Sequence, residues 1–142
     1  MQSAKYLEVI SLTERVHRQF LELVKLKLDS LRIRNVNNVQ ALLLFNISDA
    51  EMTVRELTSR GCYLGSNVSY NVKKMVQSGY LQAERSADDL RSIHIKLTKK
   101  GLNLRDELGE MLSRHADLLA TSGVSETDLQ SVSAVLQQIE RF

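Results

Sequence analysis

At Gly79 the spacing of apolar residues changes from one in every three or four to one in every two, which sets a helix before this glycine and a strand after it. Before it, Val68, Val72, Met75 and Val76 share one side of a helix that Ser66 caps and that runs to about Ser78, with Gly79 permitting a left-handed exit. After it, Ile93, Ile95 and Leu97 alternate with His94 and Lys96, the pattern of a half-buried strand whose natural partner is residues 81–85. Residues 86–91 between them are too many for a two-residue turn, so the hairpin carries a projecting loop, a wing.

The same reading extends in both directions. Over residues 6–31, Val9, Val16, Phe20, Leu23, Val24 and Leu31 keep close to a 3.6-residue period, which predicts a long amphipathic helix. Asn37 with Gln40 is a capping pair for a short second helix through Leu44, and Thr53 with Glu56 repeats the signal for a third over 54–60. Gly61 and Gly65 bracket the connection to the helix that Ser66 caps, so the third and fourth helices form a helix-turn-helix candidate. Thr98 caps a fifth helix to about Ala120, in which Gly101 weakens only the first turn. Ser125 caps a sixth, with the apolar stripe Leu129, Val132, Leu136 and Ile139.

No proline occurs among the 142 residues, so nothing fixes φ or deletes a backbone donor within these helical patterns. A hydrophobic fraction of 43% supports one core but hardly two. The expected architecture is mostly α with a small β-hairpin, a winged helix-turn-helix lobe over about residues 36–101 flanked by helices at 1–35 and 102–142. The first, fifth and sixth helices carry more apolar surface than a small lobe covers, and a two-fold interface between two copies hides it. They are therefore expected to be dimerisation helices.

No apolar stretch approaches the roughly 20 residues of a membrane span. The first ten residues mix Gln2, Lys5 and Glu8 among apolar ones, unlike the uninterrupted core of a secretory signal. The lone cysteine, Cys62, excludes an intrachain disulfide and a paired-cysteine zinc site and suits a reducing compartment. The expected setting is the cytoplasm, with no membrane partner.

The net charge of +2 conceals an uneven distribution: residues 1–54 carry +1, residues 55–105 carry +6 and residues 106–142 carry −5. A basic middle beside an acidic end points to a polyanion-facing segment next to one with another task. Within that middle, the fourth helix sets Asn67, Ser69, Tyr70, Asn71, Lys73, Lys74 and Gln77 opposite its apolar face. Amides and hydroxyls can hydrogen-bond base edges in a major groove and lysines can neutralise phosphate, as a recognition helix requires. The bland alternative is a solvated helix face. Arg91, at the end of the wing, suits a narrow minor groove where negative potential is enhanced, and Asp89 can orient it through a charge-assisted bond.

In order and spacing these pieces resemble the MarR family of winged helix-turn-helix regulators over nearly the whole chain. The matching pieces are Gln40, the run Thr53-Val-Arg-Glu-Leu57, Ser66-Asn-Val-Ser-Tyr70, Met75 through Gly79-Tyr-Leu81, Asp89-Leu-Arg91 and Leu97-Thr-Lys-Lys-Gly101. The resemblance implies a homodimer that binds double-stranded DNA, a repressor at a pseudo-palindromic operator, with relief by a small-molecule inducer or by oxidation. By position it implies base reading by Ser66, Asn67, Ser69 and Tyr70, phosphate contacts by Lys73 and Lys74, and minor-groove entry by Arg91 supported by Asp89. Leu90 stands where family wings often carry a second basic residue, and the prolines common before the second helix and in the wing are missing.

Other chemistry finds little in the sequence. There is no glycine-rich phosphate loop and no Ser/His/Asp arrangement with recognisable context, so no enzyme and no cofactor is expected. His17, His94 and His115 are dispersed, without the i, i+4 pairing of a helical metal site. Cys62 lies before the fourth helix, where oxidation would disturb recognition, but a lone cysteine is more often a small buried hydrophobe. Two other uses of the fold stay open at this point: a winged-helix protein-interaction module without sequence-specific DNA binding, and an RNA-binding winged helix.

Overall fold

The computed structural model describes residues 2–47, 51–61, 65–85 and 92–142. Along them run α1 (Gln2–Ser30), α2 (Asn38–Phe45), β1 (Met52–Thr53), α3 (Val54–Gly61), α4 (Gly65–Gln77), β2 (Leu81–Arg85), β3 (Ile93–Leu97), α5 (Lys99–Thr121) and α6 (Glu126–Glu140). The chain divides into two compact units, residues 1–108 and 109–142, and α5 contributes its first part to one and its second part to the other.

Side chains that satisfy orphan amides start these helices where the sequence places them. Ahead of α2, Asn37 Oδ1 accepts the Gln40 amide at 2.8 Å and Gln40 Oε1 accepts the Asn37 amide at 3.1 Å, a complete capping box. Ser125 and Asp128 form the same box ahead of α6. The bonds from Ser125 hold the Asp128 carboxyl below the ordinary range, so the cap's contribution is full above that range and is lost as pH falls below it, through the lowered folded value. At α3, the Glu56 amide donates to Thr53 Oγ1 at 3.1 Å. Helix α4 departs from expectation by one residue: it opens at Gly65, so Ser66 lies in its first turn rather than at its cap.

Three helices end in the same way. After α4, the Tyr80 amide donates to the Met75 carbonyl and the Gly79 amide to Val76, and after α5 the Val124 and Gly123 amides reach Leu119 and Ala120. This closure needs a left-handed residue, supplied by Gly79 at φ 86° and Gly123 at φ 105°. The end of α1 repeats it, with Ile33 donating to Leu28 and Arg32 to Asp29, but the left-handed residue there is Arg32 at φ 58°. A side chain in that region is strained by about 1–2 kcal/mol, part of which a glycine returns through a more disordered unfolded chain. Arg32→Gly is therefore expected to stabilise the protein by roughly 0.5–1 kcal/mol, read as a higher urea midpoint at unchanged slope.

The three strands form one antiparallel sheet in the order β1-β3-β2. Leu81 pairs with Leu97, Ala83 with Ile95 and Arg85 with Ile93, the hairpin the alternating pattern predicts. The other edge was not anticipated: Met52 and Thr53 pair with Ile95 and His94, and two residues are too few to show alternation. The expected inward row is graded, with Ile95 fully buried, Leu97 half-buried and Ile93 exposed at the loop end of the hairpin, opposite Arg85.

Around Ile95 the core gathers Leu43 and Leu44 of α2, Leu57 of α3, Val68 and Met75 of α4, and Leu81 of β2, each essentially without solvent contact. Burying each such side chain contributes about 1.5–3 kcal/mol. Thr98 ties the hairpin to α5: its Oγ1 donates to the Gly79 carbonyl at 2.6 Å and accepts the Gly101 amide at 3.1 Å. Gly101 does more than weaken a first turn, because a Cβ there would lie 2.2 Å from the Tyr80 carbonyl oxygen. The helix approaches the chain between α4 and β2 closely only because this residue has no side chain.

The flanking helices bury little within either unit. In α1 only Val24 and Leu28 are buried, whereas Tyr6, Leu7, Ile10, Leu12 and Val16 are exposed. In the second unit α6 buries none of its residues, and Leu118 of α5 and Leu129, Val132 and Val135 of α6 are exposed. Among the described residues no helix is long and apolar enough to cross a membrane.

Candidate nucleic-acid interface

Helix α4 packs Val68, Val72 and Met75 inward at spacings of four and three, and the 3.6-residue turn then sends the residues between them outward. Asn67, Ser69, Tyr70, Lys73, Lys74 and Gln77 are all exposed, Tyr70 at 60% of its surface. The elements holding α4 in place are α2, α3 and β2, all within the first unit. The result is a rigid rod whose outer face carries amides, hydroxyls and two cations.

Asn71 differs from the sequence reading, which grouped it with the outward residues. It is half-buried, and its Oδ1 accepts a hydrogen bond from Gln40 Nε2 at 3.1 Å. Gln40, 7% exposed, is the buried polar side chain of the described core. It therefore has two tasks, capping α2 and bracing α4. The second left no sequence signal, because the two residues are 31 apart and contact depends on how α2 and α4 pack.

The charges on the outer face are available. Among the described residues no carboxylate pairs with Lys73 or Lys74, and Lys74 Nζ sits 5.7 Å from the centroid of the Tyr70 ring, a cation–π contact along one helix turn. Other basic residues serve the scaffold instead. Lys100 donates to the Ser78 carbonyl at 3.1 Å and stands 4.5 Å over the Tyr80 ring, and Lys27 pairs with Glu107 at 3.1 Å to join α1 to the start of α5.

Of the residues singled out from sequence, Asn67, Ser69, Tyr70, Lys73 and Lys74 are brought onto one exposed helix face. Ser66 lies on the same helix, and its side chain is outside the described residues. Asp89, Leu90 and Arg91 of the wing, and Cys62 before α4, are also outside them. His94 is not isolated, since its Nδ1 lies 2.9 Å from Glu51 Oε1 across the β1–β3 pair. No group of three potential metal ligands occurs among the described residues.

Residues 36–101 match the family described as a winged helix DNA-binding domain. Solved structures of other regulators share the fold. The regulator BldR from Sulfolobus solfataricus superposes with a TM-score of 0.78 at 16% identity, covering 100% of this chain and 99% of that one. A mutant MarR from E. coli complexed with operator DNA superposes at 0.75 and 16% identity, covering 95% of each chain. In sequence, the chain is 31% identical over 135 residues to the exopolysaccharide II synthesis transcriptional activator ExpG of Rhizobium meliloti (strain 1021), covering 95% of this chain and 70% of that protein. The chain belongs to the MarR family of winged helix-turn-helix transcriptional regulators. In this MarR-family chain α3 and α4 are the helix-turn-helix, and β2 and β3 are the strands of the wing. Its relatives are transcription regulators rather than enzymes.

Proposed function

We propose that this MarR-family protein is a cytoplasmic regulator that binds a pseudo-palindromic operator in double-stranded DNA as a homodimer and represses transcription by occluding it. The observation that carries the reading is the face of α4, where Asn67, Ser69, Tyr70, Lys73 and Lys74 stand clear of a rod held by Val68, Val72 and Met75. Ser66, Asn67, Ser69 and Tyr70 contact base edges, Lys73 and Lys74 contact phosphates, and Arg91, supported by Asp89, enters the adjacent minor groove. The exposed apolar residues of α1 and of the second unit pair about a two-fold axis, which sets two copies of α4 about 34–36 Å apart on successive major-groove faces. A small-molecule inducer that favours another spacing of the two rods releases the DNA. The ExpG relative is by name an activator, and the sign of regulation follows from where the operator lies relative to a promoter.

Selection of duplexes from a random-sequence library by the purified protein tests this directly. The expected product is an inverted repeat with half-site centres about 10 bp apart, bound by a species that sediments as a dimer at micromolar concentration. Asn67→Ala is expected to relax the preference at one base pair in each half-site by about 1–3 kcal/mol while weak binding to unrelated duplex is retained. Failure to enrich any sequence, or enrichment of a lone half-site by a monomer, sinks the proposal.

A further inference from the structure

Local pattern makes Gln40 a helix cap and Asn71 one more outward amide, but the structure joins them in a chain of hydrogen bonds whose direction is fixed. The Asn37 backbone N–H can only donate, so the Gln40 atom that meets it at 3.1 Å must be the carbonyl oxygen, Oε1. The other end of the Gln40 amide is then the donor Nε2, which meets Asn71 at 3.1 Å, so Asn71 must present its acceptor Oδ1 inward. Its own donor, Nδ2, is left facing away. Nδ2 has no partner among the described residues, and no buried side-chain nitrogen or oxygen among them lacks one, so Nδ2 reaches solvent. On the helix, Asn71 lies four residues from Asn67 and three from Lys74, at the edge of the face proposed to meet DNA.

We propose that Gln40 is a positioning residue for DNA recognition: by accepting from the Asn37 amide and donating to Asn71, it fixes Asn71 Nδ2 as an outward hydrogen-bond donor to an acceptor on the duplex. This rests on the DNA-binding reading of α4. The fixed polarity matters because a freely turning amide offers donor and acceptor alike, whereas one held by the Gln40 bond offers only the donor, without an ordering cost on binding. The acceptor is a phosphate oxygen or a purine or thymine edge, and both share the chemistry that Nδ2 requires.

The experiment uses the full-length protein and the duplex that wild-type protein selects from a random library, with melting followed for every variant. Asn71→Asp keeps an oxygen for Gln40 Nε2 and replaces the outward donor by an acceptor. It is expected to melt like wild type yet bind about 10-fold or more weakly. Loss on every duplex identifies a phosphate as the acceptor, and loss confined to one base pair identifies a base edge. The positioning role is read from a cycle of Gln40→Leu, Asn71→Leu and the double variant, measured well below their melting transitions. If Gln40 acts through Asn71, Gln40→Leu weakens binding several-fold in the Asn71 background and leaves it unchanged in the Leu background. A merely structural Gln40 weakens binding equally in both, which overturns the proposal. So does an Asn71→Asp protein that binds like wild type. If wild-type protein selects no duplex, the DNA-binding reading itself has failed, a result separate from either of these.

Discussion

Gly101→Ala is expected to destabilise the protein by about 2–3 kcal/mol, lowering the thermal midpoint by roughly 5–10 °C. Helix propensity argues the other way, since alanine is favoured over glycine by about 1 kcal/mol inside a helix. The structure decides the sign. A Cβ at this position falls 2.2 Å from the Tyr80 carbonyl oxygen, 3.2 Å from the Tyr80 carbonyl carbon and 3.3 Å from Leu97 Cδ2. The Tyr80 peptide cannot easily step aside, because its carbonyl accepts the Thr98 amide at 3.2 Å and its own amide donates to Met75 at 2.9 Å. Moving α5 instead stretches the bonds from Thr98 to Gly79 and from Lys100 to Ser78. Either response disturbs the junction between α4 and the hairpin. A midpoint equal to or above that of the wild type contradicts the close approach.

Binding to the selected duplex is expected to weaken about a thousandfold or more between 50 and 200 mM salt, if the dimer neutralises on the order of 6–10 phosphates. The physical source is the counterion atmosphere, which each protein cation displaces from the duplex. Lys73 is exposed and faces no carboxylate among the described residues, so its charge is free to do this. Lys73→Ala is expected to lower the slope of log affinity against log salt by about 1 per protomer, roughly 2 for a dimer, while weakening binding to all sequences alike. Asn67→Ala is expected to leave the slope as it is. Binding that ignores salt identifies the lobe as a protein-interaction module, the alternative use of the same fold.

Local rules made much of this molecule legible. The capping pair Asn37/Gln40, the Ser125 cap and the left-handed Gly79 act within a few residues, and the structure forms each of them. The hairpin register follows from alternation around Ile95, and the outward residues of α4 follow from the spacing of Val68, Val72 and Met75. Harder to read were features made between segments or without a period. The edge strand β1 is two residues long, and Arg32 takes a conformation its residue type disfavours. Helical angle alone puts Asn71 at the edge of the exposed face of α4, where a neighbour from α2 decides its contacts.

What the sequence determined by itself is the set of elements, their order and the polarity of each face, because these depend on capping chemistry and on periods of 3.6 and 2. What only the tertiary structure decided is where backbones and amides meet: α5 against the Tyr80 carbonyl through Gly101, and Gln40 against Asn71. Such contacts join residues 21 to 31 positions apart, and no local pattern encodes the distance between two packed helices or the direction of a hydrogen bond between them.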